Sequence, residues 1–438
     1  MALWLLLSSS SISLAAGWEI PDHGARGLGR GGAFIASAND GTAIVYNPAN
    51  LAFQDGTRLT LASHFITHQS DFARAGNDPF SGAPFAPVTN DAGVFWVPFI
   101  TVSSQFGLKN WTFAIGVHGP NSYGRVRFPE SGGQRYSLIE SNFVVIQYSF
   151  AAAWRINRRV AVGATVEWVD SRIKFREKIP LIAGSEDPAN DIPSTVEVAD
   201  HFGFNTVLGV RWEFVDDFVF GLSARPPIFV RATGTVTSSP PPGITISGNS
   251  AKLTVSHPVV VRAGVAWMQP RFNIEAAVVF EAWSVLDAYK TSFPGVFVNL
   301  GTSSFPISNI NIPTNWRDTW SYRLGGDFEV IPNVFTLRAG AYFETAAPPP
   351  KYTALDFASL DRVGVSVGAS VVWRGIELTL AYAHIFQVDR TVTDSAVVQP
   401  NPVPEIGGTP TVTGNGAFSS NFDTFSFSIG IHFDTLLK

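Results

Sequence analysis

The sequence predicts an all-β protein, a transmembrane antiparallel β-barrel of about 14 strands with an N-terminal plug inside its lumen. Three observations lead there. The 438-residue chain is apolar on average and poor in charge, with 15% charged and 13% aromatic residues. Beyond its first residues it has no run of about 18 apolar residues, which a membrane helix requires. Its segments instead alternate apolar and polar residues, giving each strand one face suited to lipid and one suited to a polar interior.

Residues 1–15 read as a signal peptide. Leu3 to Leu7, Ile12 and Leu14 form a short apolar core, and Ser13-Leu14-Ala15 offers small residues at the two positions a signal peptidase inspects. A basic start is missing, because no Lys or Arg precedes Arg26. Residues 16–56 are rich in Gly, Ala and Asn and do not alternate. A barrel of this width is not filled by its own side chains, so this segment is expected to occupy the lumen as a hatch.

Residues 57–433 carry the strands, with starts near Thr57, Ala92, Trp111, Asn142, Val160, His201, Phe218, Ala251, Phe272, Trp316, Val334, Asp361, Ile376 and Phe422. Ile376, Leu378, Leu380 and Tyr382 share one face, with Glu377, Thr379 and Ala381 on the other. Phe425, Phe427, Ile429, Ile431 and Phe433 oppose Ser426, Ser428, Gly430 and His432. Every second connection is short, as at Asn157-Arg158, Val215-Asp216-Asp217, Gln269-Pro270-Arg271, Ile331-Pro332-Asn333 and Trp373-Arg374-Gly375. The intervening loops, 178–200, 236–250, 288–314 and 389–421, are long and polar. A soluble sandwich also alternates, but it does not divide short turns from long loops in this way. Trp111, Trp154, Trp212, Trp267 and Trp373 stand near strand ends, where an interfacial belt belongs. Residues 434–438 form a short tail after the last alternating strand.

The third strand is expected to break. Trp111, Phe113, Ile115 and Val117 alternate, then Gly119-Pro120 interrupts, and proline cannot donate to a ladder. Arg211, Arg262, Arg317, Arg323, Arg338 and Arg362 are expected to point inward, because an Arg facing lipid costs about 2–4 kcal/mol near the midplane. Glu213, Glu275, Glu281, Glu329 and Glu377 are available to pair with them. The net charge of −5 argues against nucleic-acid binding. Gly27 to Gly32 imitates a dinucleotide fingerprint, but no strand precedes it and no βαβ unit surrounds it. Ser366 in Gly364–Gly368 imitates a nucleophile elbow but sits in a regular strand. The eight His show no metal-binding spacing, and no cofactor is expected.

Several segments resemble the FadL family of outer-membrane long-chain fatty-acid and hydrocarbon transporters. They are Ala16-Gly17-Trp18, Gly27-Leu28-Gly29-Arg30, Asn47-Pro48-Ala49, Trp316 to Thr319 with Tyr322 and Leu324-Gly325, Leu337 to Gly340, and Asp361-Arg362. The resemblance implies passive uptake of long-chain fatty acids or similar hydrophobic molecules across the outer membrane of a Gram-negative-type bacterium, without enzymatic chemistry. It implies an apolar lumenal pocket and a lateral opening at a kinked third strand, with the hatch motif Asn47-Pro48-Ala49 against the kink at Gly119 and Pro120. Since Arg pairs bidentately with carboxylates, Arg317, which sits in one of these segments, is the first candidate partner of a ligand carboxylate, and Arg172 the second. Outer-membrane lipid and the barrel assembly machinery are the other expected partners. Uptake of uncharged hydrocarbons, an open diffusion porin and an outer-membrane lipase are the alternatives. The chain departs from the family's pattern where Phe433 is followed by Asp434-Thr435-Leu436-Leu437-Lys438, since such barrels end on an aromatic residue.

Overall fold

The computed structural model describes residue 20 and residues 23–120, 124–356 and 358–436. The expected signal peptide lies outside them. Among the described residues, fourteen antiparallel strands close into a barrel. They are β1 Thr57–Arg74, β2 Phe95–Ser104, β3 Trp111–His118, β4 Glu140–Arg155, β5 Val160–Pro180, β6 Asp191–Val215 and β7 Phe218–Arg225 with Ile228–Ser238. The rest are β8 Ser250–His257 with Val260–Met268, β9 Phe272–Glu281, β10 Thr319–Ile331, β11 Phe335–Glu344, β12 Arg362–Trp373, β13 Ile376–Gln387 and β14 Gly416–His432. Each pairs with its neighbour in sequence, and β14 returns to β1 along Arg58↔His432 to Arg74↔Gly416. Closure leaves no end strand exposed to lipid, which has no water to satisfy it.

Alternation sets the faces as the sequence predicts. Leu378 and Leu380 on β13 are exposed outward, while Thr379 and Ala381 are buried inward. Trp111, Trp154, Trp212, Trp267 and Trp373 are all exposed near the short turns and form the inner aromatic girdle. An outer girdle lies on one register row, where Val117 pairs with Tyr148, Tyr148 with Trp168 and Trp168 with Phe204. From Trp212 to Phe204 along tilted β6 the rise is about 20 Å, near the ~25 Å apolar height of such barrels.

Three strands depart from simple alternation. The buried residues of β6 change from Ile192, Ser194 and Val198 to Asn205, Val207 and Arg211. Those of β7 change from Val219, Ser223 and Arg225 to Ile228, Val230 and Ala232. Those of β8 change from Ala251, Leu253, Val255 and His257 to Val260, Arg262 and Ala266. Burial therefore changes phase at about 201–202, at Pro226-Pro227 and at Pro258-Val259, and at the first of these β6 carries one extra residue against β5. A bulge of this kind re-aims side chains and bends the wall.

The outer loops are shorter than the sequence suggested. β5 runs to Pro180 and β6 begins at Asp191, so most of 178–200 is paired strand standing above the outer girdle. The last strand likewise begins at Gly416 rather than Phe422. Above the membrane, lipid no longer imposes alternation, and Pro193 and the charged residues hide the strand pattern. The tail expected at 434–438 begins as a helical turn, Phe433–Leu436, where Asp434 accepts from the Thr57 amide at 3.2 Å.

Candidate functional site

The N-terminal segment lies inside the barrel. It comprises α1 Gly24–Gly29, α2 Ala43–Tyr46 and a 3₁₀ turn Pro48–Phe53, nearly all of it buried. Gly, Ala and short polar residues suit this place, because backbone must approach the wall closely. A Cβ on Gly340 of β11 would stand 2.1 Å from the Arg30 carbonyl carbon. Charged residues clasp the segment. Arg30 pairs with Asp327 at 2.7 Å and lies 3.8 Å from Glu275. Glu275 accepts from the amides of Ile35, Ala36 and Ser37 at 2.5, 3.0 and 3.1 Å and from the Ser37 hydroxyl at 2.5 Å. Arg26 pairs with Glu377, which also faces Arg338 at 3.5 Å. Arg323 and Arg362 both pair with Glu344. The inward arginines of the sequence reading thus form much of a structural network; Arg211, Arg262, Arg323, Arg338 and Arg362 are all buried.

The hatch motif has a defined seat. The Asn47 side-chain amide donates to Ile35 O at 3.1 Å and to Val210 O of β6 at 2.9 Å, and its oxygen accepts from Ala49 N at 3.2 Å. Pro48 and Ala49 lie on Gly163 of β5 and Gly209 of β6, where a Cβ would come within 2.5 and 2.8 Å of Pro48 atoms. These bonds run to β6 and to the segment itself. Two other hatch side chains reach the upper part of β3: the His23 ring is 5.8 Å from that of His118 and 6.1 Å from Phe99, and Ile44 packs on Gly116. The hydrogen bonds and glycine contacts of Asn47 to Ala49 thus run to β5 and β6, while His23 lies beside the end of β3.

The third strand breaks where its sequence says. β3 pairs with β2 up to Phe99↔His118 and with β4 up to His118↔Gln147. The strand ends there, with Gly119 between Val97 of β2 and Val145 of β4, and among the described residues no ladder joins β2 at 95–98 to β4 at 143–146. Pro98, lacking an N–H, stands on this edge. The space holds a cavity of about 330 Å³ lined by Phe95, Trp96, Val97, Val117, Gly119, Pro120 and Tyr148, with His118 and His257 as its imidazoles.

A second cavity, of about 300 Å³, opens at the outer mouth beneath the long loops. Tyr136, Leu138, Phe175, Leu253, Tyr289 and Leu355 give it apolar walls. Its side is braced by Asp191, which accepts from Tyr136 at 2.5 Å and pairs with Arg135 at 2.9 Å. Burial, reinforced by that bond, raises the Tyr136 phenol well above its usual range. Several lining residues come from loops, where alternation gives no signal. One apolar cluster joins the two cavities, since Leu138, Leu253, Tyr289, Phe293 and Leu355 belong to the same packed group as Val97, with Phe95, Phe143 and Phe175 against it.

The cations in this region are not where the sequence reading put them. Arg172 lies on the outer face of β5, 62% exposed and paired with Asp170 at 3.0 Å. It stands above the girdle residue Trp168, where lipid exacts no cost for a charge facing out. Arg317 is exposed just before β10, its amide bonded to Ala347 O at 2.8 Å. Neither lines either of these two cavities. Arg176 does line the outer one, but its guanidinium is held by Glu130 and Glu140. Glu177 lines it too and, among the described residues, has no ion-pair partner. Near the kink, His118 Nε2 is 2.9 Å from Ser149 Oγ and 3.6 Å from Glu167. Both meet the same ring nitrogen, so the carboxylate does not orient the imidazole for a serine nucleophile.

A sequence profile described as outer membrane protein transport protein (OMPP1/FadL/TodX) matches residues 6–424. The chain belongs to this family. FadL/TodX proteins are outer-membrane transporters of hydrophobic molecules, and this chain is an outer-membrane protein. Solved structures share its fold. A Pseudomonas aeruginosa FadL homologue superposes with a TM-score of 0.78 at 18% identity, covering 95% of this chain and 100% of that one. The CymD monoaromatic hydrocarbon channel gives 0.66 at 17%, covering 95% and 98%. The Pseudomonas putida toluene transporter TodX gives 0.65 at 14%, covering 94% and 98%. No curated protein matches the sequence significantly.

Proposed function

We propose that this FadL/TodX protein takes up hydrophobic molecules in uncharged form, and that they leave through the wall at the broken third strand. A molecule would enter the outer-mouth cavity, move along the apolar cluster and exit between β2 and β4. The hatch closes the direct path below. Burial of alkyl groups, about 0.8 kcal/mol per CH₂, drives partition out of water without another energy source. The observation that carries the cargo class is the absence of an available cation in either cavity among the described residues, beside the unpaired Glu177. A carboxylate brought into such a space loses hydration and gains no cationic partner, and burial likewise pushes the Glu177 carboxyl up to about 8. The cargoes named for CymD and TodX are uncharged monoaromatics and toluene, which fits the same reading. A long-chain fatty acid fits it when protonated.

Binding of 1-hexadecanol and hexadecanoate to purified protein tests the cargo class. Hexadecanol is expected to bind more tightly at neutral pH, hexadecanoate to gain affinity as pH falls through its own pKa, and Glu177→Gln to leave the preference in place at neutral pH, where the Glu177 carboxyl is already protonated. Preference for hexadecanoate at neutral pH would contradict the proposal.

A further inference from the structure

The wall has a second break, on the far side of the β4–β6 panel. β6 pairs with the lower part of β7 along Leu208↔Ala224 to Val215↔Phe218 and with the upper part along Ala199↔Thr233 to Ser194↔Ser238. Between these ladders, residues 200–207 of β6 face residues 225–232 of β7 in unchanged register but without pairing. The break crosses the outer girdle, because Phe204 lies on the row of Val117, Tyr148 and Trp168. It therefore stands at the height of the β2–β4 opening.

Sequence and side chains are fitted to an unpaired wall. Unsatisfied amides are costly in lipid, and Pro226 and Pro227 have none to leave unsatisfied. The bulge of β6 against β5 and the changes of burial phase in β7 and β8 fall together here. Asp200 spans the break, accepting from its own strand at Phe202 N, 3.1 Å, and from β7 at Arg231 N, 2.8 Å. Above the girdle, His201 is held to Asp170 at 2.8 Å. On the lumen side, Ile228 and Val230 of β7 and Val198 of β6 belong to the apolar cluster that joins the two cavities. On the lipid side, Phe202, Phe204 and Phe229 are exposed. An apolar lumen and an apolar exterior are thus separated by strands held together at this height by one carboxylate rather than a ladder.

We propose that the β6–β7 break is a second lateral portal for hydrophobic molecules, closed in this structure and latched by Asp200. The β4–β6 panel is then flanked by an opening on each side, with the hatch motif seated on its β5 and β6 strands. Opening breaks the Asp200–Arg231 bond and separates Phe204 from Ile228, giving the apolar cluster direct access to the outer leaflet.

The chain has no cysteine, so pairs can be introduced cleanly. Trp96→Cys with Val144→Cys, joined by a bismaleimide, bridges the first opening. Phe202→Cys with Phe229→Cys bridges the second. Uptake of radiolabelled hexadecane is measured in cells producing each protein, with heat-modifiable gel mobility as a check on folding. The first bridge is expected to lower uptake yet leave it several-fold above cells lacking the protein. Adding the second bridge is expected to bring it to that background. Asp200→Ala in the first-bridged protein is expected to raise uptake. The proposal is overturned if the first bridge alone reaches background, or if neither the second bridge nor Asp200→Ala changes what remains.

Discussion

At the scale of single residues, Glu275 shows how a plug is kept in a wide barrel. Its two oxygens receive three consecutive amides, one hydroxyl and the nearby charge of Arg30. Glu275→Ala leaves those donors and Arg30 without that carboxylate, and breaking one side of a buried charged cluster costs about 3–5 kcal/mol. The loss is expected to fall on the hatch rather than the barrel. Limited proteolysis should cut the N-terminal segment faster while heat-modifiable mobility is retained; an unchanged cleavage rate would show that Glu275 does not hold it. The same scale explains the misplaced ligand arginines. The expectation that polar-face cations turn inward rests on the cost of charge in lipid. It holds for Arg323, Arg338 and Arg362 and lapses for Arg317, which like Arg172 stands beyond the apolar band.

At the scale of elements, alternation is both the strongest signal in the sequence and the reason for its gaps. Lipid on one side and a packed polar interior on the other impose a period of two, so most strands begin within a few residues of where they were placed. Leu380→Arg on the outward face of β13 is expected to lower stability by about 2–4 kcal/mol in denaturant unfolding from lipid vesicles. A change near zero would contradict the outward assignment. Where lipid ends, the signal ends with it, and the upper parts of β5 and β6 read as loop. The break at Gly119-Pro120 was legible because proline interrupts a regular alternation. The break between β6 and β7 was not, although Pro226-Pro227 marks it, because the changes of burial phase emerge only when β6, β7 and β8 are compared. The seat of the hatch motif on Gly163 and Gly209 was hidden for a similar reason, since those glycines lie far from Asn47 in sequence and meet it only after closure.

At the scale of the whole molecule, the barrel sets a polar, clasped lower lumen beneath an apolar upper one. The lower half joins hatch to wall through Arg26, Arg30, Glu275 and Glu377. The upper half connects the outer-mouth cavity to the wall where strands are broken. This division favours movement of an apolar molecule sideways into the membrane, because the path downward is lined with buried charge and filled by backbone. Uptake of radiolabelled hexadecane with both wall breaks bridged, by Trp96→Cys/Val144→Cys and Phe202→Cys/Phe229→Cys, tests that route most directly. A lateral route predicts uptake at the level of cells lacking the protein, restored when a cleavable bridge is cut. Uptake that persists with both bridges intact would show that cargo passes down through the hatch instead.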